Sequence, residues 1–289
     1  MHEDDSAAGG FEAVLHAAVR RCGAPLCVGL DPVPDRLPAA VADTSGTEAI
    51  EAFCRGVVEA VAPHAAAIKP QSACFERFGS RGVAVLERCV AHAHDAGLAV
   101  LLDAKRGDID VSARHYAEAA SSLGAHAITV QPYLGMAAIV PYLDAGLSVF
   151  VLVRTSNPDS AAIQAAPLRD GGTVAGHVAE LVAELGHTRG GVHAVVGATQ
   201  AQEAETLRGR MPEQIFLLPG VGAQGGSIAD ALRFAAPGPD PRLLPTASRS
   251  IIYPDTAPGE AWTDAVARAA AGMNESLAAA ISARASNST

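Results

Sequence analysis

The sequence predicts a single (β/α)8 barrel, and three observations carry that expectation. Eight short apolar runs recur along the chain, each bounded by Gly, Pro or polar residues. Stretches with apolar residues at helical spacing separate them. Polar and charged residues stand at the carboxyl end of one run after another, the edge where a parallel barrel keeps its chemistry. A doubly wound open sheet is the alternative architecture.

Taken in order, the first run, 26–30, leads to Asp31. The helix-like stretch 47–61 precedes the second run, 65–69, which ends on Lys69. After the helical stretch 83–96, the third run, 98–103, opens into Asp103 and Lys105. Stretch 112–123 separates it from the fourth run, 126–130, which ends at Gln131. The fifth, 148–153, ends at Arg154 and Ser156 and is followed by a long polar connection, 154–172, with the length of a lid. The helical stretch 173–185 comes next, then the runs 192–197, 215–219 and 243–247. Pro219-Gly-Val-Gly-Ala-Gln-Gly-Gly-Ser227 offers bare backbone amides before a helix, which suits an anion. Arg249, just past the eighth run, could add a bidentate cation.

The chain has 289 residues, 49% of them apolar, enough for one barrel spanning 1–289 with short polar tails. A net charge of −10 disfavours a nucleic-acid binder but not a small phosphorylated ligand met by local cations. Five cysteines without a CxxC pair argue against a disulfide framework and for idle thiols in a reducing compartment. The acidic start lacks the features of a signal peptide, and no apolar run is long enough for a membrane helix. A cytoplasmic protein is expected. Trp262 and Tyr253 are expected to pack, and His92 and His94, at i and i+2, do not share a helical face.

The most informative segment is Leu101-Leu-Asp-Ala-Lys-Arg-Gly-Asp-Ile109. On an extended chain Asp103 and Lys105 point to the same side, with Ala104 opposite. Lys69, at the end of the neighbouring strand, can approach Asp103, and Asp108 follows in the turn before the next helix. A structural salt-bridge network with Asp108 as helix cap is the bland account. Crowding alternating charges beside an anion site costs desolvation energy, which favours a ligand.

Asp103-Ala-Lys-Arg-Gly-Asp108-Ile resembles the D-x-K-x-x-D signature of the orotidine 5'-phosphate decarboxylase family, in the wording of its longer bacterial branch. The likeness extends through Val28-Gly-Leu-Asp31-Pro, Ile68-Lys69-Pro, Pro132-Tyr-Leu-Gly135, Thr155-Ser-Asn157, Pro219-Gly-Val-Gly-Ala-Gln224 and Ser248-Arg249-Ser. It implies decarboxylation of orotidine 5'-monophosphate to UMP without metal or organic cofactor. Lys105 would protonate C6, Asp103 would face the substrate carboxylate, and Lys69 would hold Asp103 and reach the ribose. Asp31 would bind ribose, Ser156 the base, and Gln224 base and phosphate. Gly225, Ser248 and Arg249 would complete the substrate contacts, with Arg249 gripping the phosphate. Asp108 and Ile109 would enter the partner's site in a homodimer. Ser112 would stand near the partner's ribose or cap a helix. Two other functions stay open at this point. One is a magnesium-dependent sugar-phosphate enzyme of the same superfamily, although Lys69 would repel the metal. The other is a non-catalytic nucleotide-binding barrel.

Overall fold

The computed structural model describes residues 10–42, 46–169, 171–221, 226–238 and 240–286. Eight strands, β1 (Cys27–Leu30), β2 (Ala67–Pro70), β3 (Ala99–Arg106), β4 (Ala127–Val130), β5 (Ser148–Arg154), β6 (Val192–Val196), β7 (Phe216–Pro219) and β8 (Leu243–Ala247), pair in parallel in chain order. β8 returns to β1, so the sheet closes into a (β/α)8 barrel. Each strand overlaps an apolar run predicted from the sequence, with the ends moved by a few residues.

The alternation of side chains along each strand builds two cores. Cys27, Ala67, Ala99, Leu101, Ala127, Phe150, Val195, Leu217 and Leu244 form one cluster inside the barrel. Alternate residues such as Val28, Ile68, Val100, Ile128, Val149 and Val151 belong to the outer cluster, under the helices. Strands buried on both faces read as continuous apolar runs, which is why periodicity alone could not orient them.

The helix Thr47–Val61 shows how the outer layer is specified. Ala49, Ile50, Phe53, Cys54, Val57, Val58 and Val61 recur at helical spacing and are its buried residues. Phe53 stacks on Tyr253 and Trp262, at ring-centroid distances of 5.2 and 5.5 Å. Both of those residues pack as expected. Gly56 is required there: a Cβ would lie 2.5 Å from the Trp262 ring.

A helix that the strand count did not anticipate, Phe11–Cys22, closes the amino end of the barrel. Its Phe11, Leu15 and Ala18 join the interior cluster, and Phe11 meets Phe150 edge-on at 5.3 Å. Gly23, at φ 94°, ends the helix, and its N–H bonds to the Val19 carbonyl. All five cysteines are free thiols. Among the described residues no helix is long and apolar enough to cross a membrane.

Candidate active site

With the amino end plugged, the carboxyl ends of the strands hold a cavity of about 600 Å3. Asp31, Lys69, Asp103, Lys105, Ser156, Ser248 and Arg249 all line it, so seven of the residues singled out in the sequence meet in one place. Leu152, Val195 and Leu217 supply an apolar wall beside them. The combination suits a ligand with a flat apolar part and charged groups at its ends.

Asp103 is the hub. Its Oδ2 accepts from Lys69 Nζ at 2.7 Å and from Gln71 Nε2 at 3.3 Å. Its Oδ1 accepts from Lys105 Nζ at 2.5 Å and from Thr129 Oγ1 at 2.9 Å. Burial by itself would raise the pKa of this carboxyl, but the charges and hydrogen bonds of Lys69 and Lys105 outweigh it and hold the group well below the usual carboxylate range. Burial pulls Lys69 down in the same way, and Asp103 and Asp31 more than reverse it, so the ammonium is retained. Lys69 and Asp103 are buried, whereas the Lys105 side chain is 46% exposed and can reach a ligand.

The sequence predicted that Asp103 and Lys105 would meet because they lie two apart on a pleated strand. They do meet, by a different route. β3 and β4 pair at Leu102↔Ile128 and again at Arg106↔Val130, so Asp103, Ala104 and Lys105 stand opposite the single residue Thr129. β3 therefore bulges, and Lys105 sits at φ 47°, in the left-handed region. That conformation costs a residue with a Cβ about 1–3 kcal/mol and persists only where surrounding contacts impose it. Here the Lys105 N–H donates to Thr129 Oγ1 at 2.9 Å.

Two other parts of the mouth complete the cavity. Asp31 Oδ1 is buried and finds no hydrogen-bond partner among the described residues, so one carboxylate oxygen is available to a ligand hydroxyl. Across the seam where β8 meets β1, Pro219, Gly220 and Val221 join Ser248 and Arg249. Gly220 takes φ 100°, and Val221 bridges to Gly226. Gln224 and Gly225 lie outside the described residues. Gly29 lets Ser248 approach β1, because a Cβ there would overlap the Ser248 hydroxyl. In the 154–172 connection, Arg154 looked like a mouth cation but is committed elsewhere. It is buried and donates to Glu203 Oε1 at 2.9 Å and Ser160 Oγ at 2.7 Å, fastening the connection to the next loop.

Asp108, Ile109 and Ser112 do not line this cavity. Asp108 Oδ1 accepts the Ile109 N–H at 2.8 Å. The helix Asp110–Ser122 has Ile109 at its cap and no side-chain capping bond, so Ser112 does not cap it. Ile109 is 52% exposed, and Val111, Tyr116, Tyr133 and Leu134 are large apolar side chains also exposed. Gln71 and Thr129 were not among the predicted site residues. Gln71 lies two beyond Lys69, and Thr129 is the polar residue within an apolar run, which are the signals that could have found them. Among the described residues no group of His, Cys, Asp and Glu is arranged to hold a metal ion.

The family model described as "Orotidine 5'-phosphate decarboxylase / HUMPS family" matches residues 24–265. The orotidine 5'-phosphate decarboxylase of Roseiflexus castenholzii is 40% identical over 273 residues, covering 94% of this chain and 98% of that protein. The corresponding Salinispora tropica protein is 45% identical over 253 residues, covering 84% of this chain and 89% of its own length. Among solved structures, the OMP decarboxylase of Leishmania donovani superposes with a TM-score of 0.80 at 32% identity, over 94% of this chain and 98% of that one.

Proposed function

The chain belongs to the orotidine 5'-phosphate decarboxylase / HUMPS family, and on that premise we propose that its cavity converts orotidine 5'-monophosphate to UMP and carbon dioxide, the last step of de novo pyrimidine nucleotide synthesis. The observation that carries the reading is the Lys69–Asp103–Lys105 array: a carboxylate kept ionised between two ammonium groups at the mouth of the barrel.

The chemistry asks for such an array. When the C6–carboxyl bond breaks, its electron pair stays on C6 as a vinyl-type anion with little resonance relief. Lys105 places a positive charge beside that carbon and transfers its proton to it, so the group that stabilises the charge also quenches it. Asp103 faces the substrate carboxylate and favours its departure. The four hydrogen bonds that Asp103 accepts keep it from taking the proton itself. Lys69 holds Asp103 and, with Asp31, meets the ribose hydroxyls. Ser156 contacts the base, and Gln224 links base to phosphate. Gly225, Ser248 and Arg249 hold the phosphate, whose binding energy is realised as the loops close. No metal or organic cofactor takes part, and an ammonium 2.7 Å from Asp103 would repel a divalent cation.

The working unit is a homodimer in which Asp108, Ile109 and Ser112 complete the partner's site. The exposed large apolar side chains Ile109, Val111, Tyr116, Tyr133 and Leu134 support it, since they are surface of the kind that a second copy would cover. The enzyme acts in the cytoplasm on a small nucleotide, apart from nucleic acid and membrane.

The test is the loss of orotidine 5'-monophosphate absorbance in the presence of EDTA, for the wild type and Lys105→Ala. Turnover that survives EDTA and falls at least ~10^3-fold in the variant is the expected result, in the range set by loss of a general acid and its charge. A folded wild-type protein that leaves the substrate unchanged would refute the proposal.

A further inference from the structure

Lys105 presents a problem of aim. Its side chain is half exposed, and its ammonium contacts one described group, Asp103 Oδ1. A lysine stem has four rotatable carbons and little intrinsic preference for direction, so the direction must be set at the backbone. The β3–β4 ladder does not set it, because pairing stops at Leu102 and resumes only at Arg106. On the β2 side the bridge between Gln71 and Asp103 stops two residues short of Lys105, so what holds the Lys105 N–H itself is a side chain. The Thr129 hydroxyl accepts the Lys105 N–H at 2.9 Å and donates its own proton to Asp103 Oδ1 at 2.9 Å. Thr129 is 1% exposed, so water does not compete for either bond.

We propose that Thr129 is a positioning residue: its hydroxyl holds the Lys105 backbone in the left-handed conformation of the bulge and so aims the ammonium at the reacting carbon. The same oxygen ties that backbone to Asp103 Oδ1, the atom that also receives Lys105 Nζ. Backbone, hydroxyl, carboxylate and ammonium thus close a ring in which one side chain fixes both ends of Lys105. Removing the hydroxyl leaves the Lys105 N–H without its acceptor and φ 47° without its restraint. The reading rests on Lys105 being the proton donor.

Thr129→Val keeps the shape and removes the hydroxyl, whereas Thr129→Ser keeps the hydroxyl and removes the methyl. The expected result is a fall of about 30–100-fold in kcat for Thr129→Val with KM within about threefold, the scale of a small misplacement of a reacting group. Thr129→Ser should stay within about threefold of wild type in both constants, which a packing role would not predict. The inference is overturned if Thr129→Val keeps its kcat, if the loss falls on KM, or if Thr129→Ser loses as much as Thr129→Val. Hydrogen exchange at the Lys105 amide of the wild-type protein decides the matter even if the valine variant does not fold. Strong protection is expected, and exchange at the free rate would overturn the inference. A wild type that does not turn over orotidine 5'-monophosphate would refute the decarboxylase reading instead, and the amide measurement would still judge Thr129.

Discussion

At the amino end of the barrel His193 is buried against Phe11 and Phe150, with ring centroids at 6.2 and 4.9 Å. At the carboxyl end Asp103 is buried among Lys69, Gln71, Lys105 and Thr129. Burial pushes His193 down to about 3, aided by the Arg242 charge, so this ring stays neutral. Glu12 Oε1 lies 3.5 Å from its Nε2, which is ion-pair range but not a hydrogen bond, and Glu12 is engaged by Arg242 at 3.1 Å. Asp103, also buried, keeps its charge because two ammonium groups surround it. Similar desolvation thus removes charge at the closed end and preserves it at the open end. The difference lies in the counter-charges that each end supplies.

Four changes would break or sharpen that contrast. The largest effect is expected from Asp103→Asn, which should lower kcat/KM by at least ~10^3-fold, as loss of a preorganised charged group does. His193→Asn should leave kcat/KM within about threefold, since it touches no cavity residue that reacts. Similar losses from the two substitutions would erase the distinction between the ends. Phe11→Ala should come next, costing about 3–5 kcal/mol in denaturant unfolding through a cavity in the plug. Its kinetic constants should stay near wild type while it remains folded, and a kinetic loss without a stability loss would contradict the division. Arg249→Ala should raise KM about 10–100-fold, the value of a charge-assisted phosphate contact, with a smaller change in kcat.

The smallest effect at neutral pH is an acid one. His193 titrates near 6.5 in the unfolded chain and at about 3 in the folded protein, so the unfolded state binds the extra proton in between. Its stabilising contribution is complete above that unfolded value and is lost as pH falls from about 6.5 towards 3. His126, lowered to about 4 by burial and by His94, acts in the same direction. Asp103 has a depressed folded pKa, so its contribution is lost only at lower pH, as the medium falls below the usual carboxylate range. Acidification should therefore weaken the closed end first. Urea midpoints between pH 7 and 4 should fall less steeply in His193→Asn, and an unchanged slope would show that the imidazole carries no part of it.

The barrel itself was legible because eight apolar runs with polar ends leave little choice of architecture, and helix Thr47–Val61 was bounded correctly by its apolar spacing. The convergence of Lys69, Asp103 and Lys105 was legible from their strand-end positions. Arg154 had the same position and a different fate, since a strand end does not reveal whether Glu203 and Ser160 lie within reach. The bulge was not legible either. Its cause is a hydrogen bond to Thr129, 24 residues further along the chain, and nothing local to Asp103-Ala-Lys105 marks a left-handed lysine. The plugging helix was missed for a related reason: Phe11 and Leu15 find their partners inside strands far along the chain.

The bulge has a consequence for how the barrel could be altered. Between Leu102↔Ile128 and Arg106↔Val130, β3 spends three residues where β4 spends one, an excess of two. A bulge absorbs the surplus locally and leaves the pairing on either side of it in place. Arg106 pairs with β4 again, as Leu102 does before the bulge. The lysine at the centre of the chemistry is thus carried on chain that the β3–β4 ladder leaves unpaired, so a substitution within 103–105 can alter the site while the pairs on either side of it stay in register.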